Sequence, residues 1–430
     1  MGETINVCIV SPDFLPIWSG IGSYTVELIK HLPENIHIHL VTLRRTIRSG
    51  KKSIELDDNS ISSKLNKNLH IHYISEAKDT FLYHLNFQIA CLRKIPQLHK
   101  QYQFDLLHSH FPLMSDVLLQ LLKKNQIPPT ISTVHTTIEG QHLGVEMARS
   151  FDRSIKLSEL DRSEKANLLL YMPLKVYESL FLRNVHRLIA VSKFVKKELV
   201  NYLGVAEKRI GVIHNGVDTK TFSPKRLSKI PGEAARYLDI GSRPVILYTG
   251  RLTLAKGISV LIDAVPEVIK SVPDAYFVFS GGGNYEPYFR WLRRRGVHEK
   301  NALFLGYVKD YFDMPALYAL ATIYVAPTFY DSLPLRVLEA MSCGKAVVAS
   351  NVGGIPEIIQ NWHNGIIIPP GNSKVLAEKL TFLLENEKFS AMLGTRARKT
   401  ILSNFSAERM ALDTAEVYRK EVTNTHRLQM

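Results

Sequence analysis

The feature that most constrains this chain is one pattern run twice: short apolar, β-branched segments alternate with stretches of helical period, stop, and then resume. The first series places strands at residues 5–10, 36–43, 69–74, 106–110, 130–135 and 187–191, and the second at 245–248, 275–279, 302–305, 323–326, 346–349 and 365–368. Runs that are apolar throughout suit strands covered on both faces, and their alternation with helices implies parallel sheets. Between the series, residues 223–243 mix charges with Pro224 and Pro231 and read as a linker. A single core rarely grows beyond about 250 residues, so 430 residues favour two domains. The expected class is α/β: two Rossmann-like doubly wound domains facing a central cleft. The first covers 1–222 and the second 244–405, and residues 406–430 close the chain as a helix that packs back on the first domain. Ligands of such sheets sit beyond the carboxyl ends of the strands.

Composition narrows the partners less than the fold. A hydrophobic share of 45% with 22% charged residues is ordinary for a packed protein. The net charge of +14 favours phosphates, nucleic acids and anionic lipid alike. The Arg293-Arg294-Arg295 triplet suits an exposed helix end, and no recognisable nucleic-acid module surrounds it, so no nucleic acid is expected. Cys8, Cys91 and Cys343 show no metal spacing, and pairing two would leave one over, which fits a reducing, cytoplasmic setting. The amino-terminal residues carry no signal-like run, and apolar segments such as 117–122 fall far short of the about 20 residues that cross a bilayer. Membrane contact is therefore expected to be peripheral, on an inner, anionic face. The segment Lys193-Phe194-Val195-Lys196-Lys197 and the cluster Arg44, Arg45 and Arg48 are its candidates. Residues 46–67 are polar, lack periodicity and read as a surface loop.

Chemistry concentrates in the second series. Asp331 and Glu339 stand eight positions apart in the stretch 331–345, ahead of the strand-like 346–349. Pro334 suits a first helical position, so 335–343 is expected to be a helix whose leading amides, at Leu335 and Arg336, attract phosphate. Four residues turn a helix through about 400°, which brings Glu339 back to the side of the first turn. A carboxylate offers two acceptor oxygens and suits a pair of ribose hydroxyls. Taken as an isolated pair, Glu339 reads first as a solvated helix carboxylate and Asp331 as a cap. Arg251 and Lys256, taken alone, read as surface charge at a strand end. Gly20-Ile21-Gly22 follows the first strand, but Thr25 stands where a dinucleotide fingerprint needs its third glycine, which removes the support for a dehydrogenase.

Together these blocks resemble glycosyltransferase family 4, whose fold is called GT-B, over almost the whole chain. Residues 331–349 are similar to its acidic residue, seven spacers and Glu-Ala-Met. Tyr248-Thr249-Gly250-Arg251-Leu252 with Lys256-Gly257 is similar to its Gly-Arg-Leu and Lys-Gly block. Ser19-Gly20-Ile21-Gly22 resembles its first glycine loop, with Ser19 in place of the first glycine. Val134-His135-Thr136 resembles its strand-end histidine, and Gly281-Gly282-Gly283 its glycine turn. His108 and His110 match a further strand and read as structural. The resemblance implies a retaining, metal-independent transfer from a nucleotide-diphosphate sugar to a glycan, lipid-linked or small-molecule acceptor. A UDP-sugar is favoured over GDP-mannose. His135, Asp331, Arg251 and Lys256 are the implied catalytic residues. Gly20, Gly22, Arg251, Lys256, Gly282, Asp331, Leu335, Arg336 and Glu339 are the implied donor-binding residues. The absence of an Asp-x-Asp triplet agrees with a donor held without a metal or other cofactor. His135 is expected to titrate near working pH. Asp331 is one methylene shorter than the family's usual Glu, and the alternative is a non-catalytic nucleotide-sugar-binding or regulatory protein of the same fold.

Overall fold

The computed structural model describes residues 4–15, 19–44, 48–49, 52–53, 65–76, 83–110, 118–121, 126–151, 160–224, 241–297, 300–308 and 313–429. Most of the expected linker and of the polar 46–67 stretch, residue 117 and residue 122, and Arg45 lie outside them.

Two compact units emerge. One comprises residues 1–137, 175–216 and 407–430, and the other 138–174 and 217–406. In the first, β1 (Ile5–Val10), α1 (Gly20–His31) and β2 (Ile36–Arg44) are followed by two two-residue strands, β3 (Arg48–Ser49) and β4 (Lys52–Ser53). Then come β5 (Leu69–Glu76), α2 (Tyr83–Tyr102), β6 (Leu106–His110) and β7 (Thr130–Val134). Helix α3 (Ile138–Phe151), which falls in the other unit, and α4 (Arg162–Asn184), of which residues 175–184 fall in this one, precede β8 (Arg187–Ala190), α5 (Lys193–Asn201) and β9 (Ile210–Val212). The sheet is parallel throughout, in the order β5-β2-β1-β6-β7-β8-β9. β1 and β8 are apolar along nearly their full length, as suits strands covered on both faces, and Val7, Ile9, Leu106 and Leu188 are fully buried.

The second unit runs β10 (Val245–Thr249), α6 (Ile258–Ser271), β11 (Tyr276–Ser280), α7 (Glu286–Arg294), β12 (Ala302–Gly306), α8 (Met314–Leu320), β13 (Ile323–Ala326) and α9 (Leu335–Ser342). It continues with β14 (Ala346–Ser350), α10 (Ile355–Ile358), β15 (Ile366–Ile368), α11 (Ser373–Glu385) and α12 (Glu387–Asn404). Its sheet is also parallel, in the order β12-β11-β10-β13-β14-β15. Ile246, Val260, Phe277, Phe279, Ile323 and Val348 fill its core. Helix α13 (Ala407–Gln429) belongs to the first unit, where the Tyr418 hydroxyl lies 2.6 Å from His108 Nδ1.

The division differs from the expected boundaries by a few residues at 217–222, which fall in the second unit, and by a whole segment earlier in the chain. Residues 138–174, read from sequence as part of the first domain, group with the second unit. The reason is local: Glu164 accepts the Ala255 amide at 2.9 Å, and the rings of Phe151 and Phe329 lie 5.9 Å apart.

Candidate active site

Strand order reverses in the second sheet at β10, which lies between β11 and β13. At such a switch point the loops leaving neighbouring strands part and open a crevice beyond their carboxyl ends. The loop after β10 carries Arg251 and Lys256, and the loop after β13 carries Asp331. Lys256 Nζ donates to Asp331 Oδ2 at 2.5 Å, with 31% and 21% of the two side chains exposed. The pair is thus within reach of a ligand.

Backbone contacts hold the two loops in register. The Phe329 amide donates to the Ala255 carbonyl at 2.9 Å, and Thr328 Oγ1 donates to the same oxygen at 3.0 Å. Gly257 has φ of 70°, and a Cβ there would lie 1.8 Å from the Pro327 carbonyl oxygen. Gly353 has φ of 56°, and its Cβ would lie 1.7 Å from the Asp331 carbonyl oxygen. Only glycine permits both the left-handed backbone and the close approach. Asp331 is therefore braced on one side by β10's loop and on the other by the Gly353-Gly354 turn, whose Gly354 amide donates to the Asp331 carbonyl at 3.1 Å.

Arg251 stands apart from this pair. Its side chain is 63% exposed, and Nη1 donates to Ser163 Oγ at 3.0 Å, with Asp161 Oδ1 at 3.9 Å. Gly282 lies beside it through the backbone, since its carbonyl accepts the Leu252 amide at 2.9 Å.

Helix α9 begins at Leu335, as expected, and ends at Ser342, one residue early. Pro334 has ψ of 113° and is the cap rather than the first helical residue. Leu335 and Arg336, both partly exposed, supply the first-turn amides. Glu339 is almost fully buried, at 1% exposure. Arg336 Nη1 donates to its Oε1 and Oε2 at 3.0 and 2.8 Å, and the Tyr318 hydroxyl donates to Oε2 at 2.6 Å. Tyr318 also lies 3.2 Å from Thr249 Oγ1, which is 3.1 Å from the Tyr324 hydroxyl. Burial, then the neighbouring Glu339 charge, pushes the Tyr318 hydroxyl well above the ordinary tyrosine range, so it stays a donor to the carboxylate. Arg336, 26% exposed, is the more accessible member of this ion pair.

In the first unit, Ser19 caps α1: Gly22's amide donates to Ser19 Oγ at 2.9 Å, and Ser19 Oγ donates to Asp13 Oδ2 at 2.8 Å. Gly20 and Gly22 are therefore in the first turn of the helix rather than in the preceding loop, and Gly22's amide is occupied. Ser19, which sequence reasoning set aside as a departure, is the residue that orders this turn. His135 follows β7, with Nε2 3.3 Å from His110 Nδ1 and its ring edge-on to Tyr24 at 4.6 Å. Burial pushes His135 down to about 3, which overturns the expectation that it titrates near working pH. His108 is likewise pushed down to about 3 by burial and then by His135, and His110 falls well below its usual value through burial and the neighbouring His108 and His135. All three imidazoles are neutral at neutral pH.

Sequence reasoning missed Tyr318, Tyr324, Thr249, Asp161, Ser163 and Glu164. The first three sit in apolar stretches whose pattern reports burial but not the direction of a hydroxyl.

A doubly wound unit with a Lys256–Asp331 ion pair at its switch point, in a chain with two such units, fits the GT-B class. A family model described as glycosyl transferases group 1 matches residues 234–400, and one described as Glycosyltransferase Family 4 matches residues 18–221. The chain belongs to glycosyltransferase family 4. It is 31% identical to spore coat protein SA of Bacillus subtilis over 250 residues, 55% of this chain and 66% of that protein. It is 29% identical to an uncharacterised glycosyltransferase of Methanocaldococcus jannaschii over 319 residues, 74% of this chain and 75% of the relative. In fold it is similar to Anabaena HepE, whose structure is solved in complex with UDP-glucose, with a TM-score of 0.70, 18% identity, and coverage of 97% of this chain and 100% of that one.

Proposed function

We propose that the chain is a hexosyltransferase that moves a sugar, with retention of configuration, from a UDP-sugar to a glycan, lipid-linked or small-molecule acceptor. The observation that carries this reading is the Lys256–Asp331 pair at the β10/β13 switch point, with Arg251 on the same loop as Lys256.

A diphosphate brings negative charge that must be offset where it grows during bond cleavage. Lys256 gives one hydrogen to Asp331 and keeps two for phosphate oxygens. Arg251 swings from Ser163 to offer its fork, and the α9 amides add their partial positive charge. With two cations and a helix start in place, the transfer proceeds without a metal. Asp331 accepts from a hydroxyl of the donor sugar, and Glu339 takes the ribose hydroxyls as Arg336 yields. The acceptor oxygen bonds to the anomeric carbon on the face that the diphosphate leaves, the carbon–phosphate-oxygen bond breaks, and the acceptor proton passes to the departing phosphate. His135, being neutral, serves as a hydrogen-bonding partner for a sugar or acceptor hydroxyl rather than as a cation. The favoured UDP donor follows HepE, solved with UDP-glucose.

The test is release of nucleoside diphosphate from a panel of UDP- and GDP-sugars, with and without candidate acceptors. Turnover with one UDP-sugar supports the proposal, and turnover with GDP-mannose alone moves the donor. Binding without turnover by the folded protein supports the second reading, a nucleotide-sugar-binding protein of the same fold.

A further inference from the structure

Helix α3 carries two buried glycines one turn apart on one face, Gly140 and Gly144. Glycine weakens a helix interior relative to alanine, so a pair of them calls for a reason. The reason here is a single side chain. A Cβ at Gly140 would lie 2.2 Å from both Cζ and Oη of Tyr330, and a Cβ at Gly144 would lie 2.5 Å from Tyr330 Cβ. The tyrosine therefore lies lengthwise in a notch along α3, its base at Gly144 and its tip at Gly140. Four residues of helix rise about 6 Å, close to the reach of a tyrosine side chain. Helix α3 and the loop after β13 that carries Tyr330 both belong to the second unit.

We propose that Tyr330 is a positioning residue for the reaction, seated in this notch to hold the Asp331 carboxylate against Lys256; the inference rests on the sugar-transfer reading. Tyr330 immediately precedes Asp331, and its hydroxyl lies 3.2 Å from Ser332 Oγ, so the residues on either side of the acid are tied to each other. The Tyr330 amide donates to Thr328 Oγ1 at 3.3 Å. At the far end of α3 the rings of Phe151 and Phe329 meet over Gly371, where a Cβ would lie 3.3 and 3.2 Å from them. Helix α3 thus grips the loop at both 329 and 330, and the Phe329 amide joins that loop to Ala255, beside Lys256. A side chain wedged next to the acid fixes where its carboxylate stands, and a displacement of about 1 Å at such a group can cost about 100-fold in rate. Tyr330 acts through Asp331 and not on the substrate.

The experiment compares the full chain with Gly140→Ala, Tyr330→Ala, their double variant and Tyr330→Phe, each checked for folding by circular dichroism. Alanine suits a helix better than glycine does, so Gly140→Ala separates the wedge from the stability of α3. One readout is kcat and donor KM with the nucleotide sugar that the wild type turns over. The other is the rate at which trace acetic anhydride acetylates Lys256 relative to the exposed Lys374, read by mass spectrometry. Each single alanine variant is expected to lose about tenfold or more in kcat, with a smaller change in KM. Each is also expected to acetylate Lys256 several-fold faster, because Asp331 no longer engages it. The double variant is expected to be no worse than the poorer single one, since both changes act through one contact. Tyr330→Phe, which keeps the ring, is expected to rescue most of the loss seen in Tyr330→Ala. Unchanged Lys256 reactivity in the folded single variants, or kcat losses that multiply in the double variant, would overturn the proposal. A wild type that turns over no nucleotide sugar would instead remove the transfer reading, and the acetylation rates would then decide by themselves whether Tyr330 holds the pair.

Discussion

Each sheet has one place where its strand order reverses, at β1 in the first unit and at β10 in the second, and the two are furnished in opposite ways. Beyond β10 the protein keeps an ion pair partly exposed on loops that only glycine lets close. Near the ends of β6 and β7 it keeps buried, neutral imidazoles, His108 and His110 with His135, packed against Tyr24 and Tyr418. Partly exposed charge suits a ligand that brings charge of its own. Neutral buried rings suit hydroxyl groups and tolerate no added proton. One architecture thus supports two chemistries, decided by what each strand-end loop carries and how deeply it is buried.

The comparison breaks most visibly in acid. Below 6.5 the histidines take up protons in the unfolded chain, while in the folded chain His108 and His135 resist protonation until about 3. The unfolded state then binds more protons, so stability falls as pH drops from 6.5 toward 3, by up to ~1.4 kcal/mol per pH unit for each such histidine. Denaturant melts across this window are expected to show the loss, and His108→Gln to flatten it. A stability profile level from pH 6.5 to 4 would remove the neutral-ring half of the comparison.

Next in size is Lys256→Ala. Losing a charge-assisted hydrogen bond to phosphate costs roughly 1.5–3 kcal/mol, which is about 10- to 150-fold in kcat/KM for the nucleotide sugar. Near-normal turnover by the folded variant would deny the charged half. Tyr318→Phe is milder and sharper. It removes one donor from buried Glu339 without removing the carboxylate, and a rise in donor KM of about tenfold or less is expected, with kcat little changed. An unchanged KM would show that Tyr318 is packing alone. The smallest expected effect is none: excess chelator leaves the transfer rate unaltered if cationic side chains carry the diphosphate, and loss of activity restored by a divalent ion would contradict this.

Much of this was legible in the residues because strand and helix periods differ. Every strand of the two large sheets except β9 was readable from its apolar run, most within a residue or two of its bounds. Lys256, Asp331 and Glu339 were singled out because the blocks that carry them resemble those of the family, whereas taken alone each reads as an ordinary charged residue at a loop or helix. Other features depend on which way a side chain points after packing. No pattern in residues 138–151 says that the glycines there receive the ring of Tyr330, and Glu339 reads as a ligand for ribose until Tyr318 and Arg336 are seen on it. The pull of residues 138–174 toward the second unit arises from contacts with the loops around Ala255 and Phe329, distant in sequence. The histidines were legible as a strand-end group, but their protonation follows from burial, which no local pattern reports.

Whether the loops at the β10/β13 switch point hold a diphosphate is decided by calorimetric titration of UDP and of uridine into the wild type and Lys256→Met. The wild type is expected to bind UDP far more tightly than uridine, and the substitution to remove most of this advantage. Equal binding of UDP by both proteins, or no preference for UDP over uridine in the wild type, would contradict it.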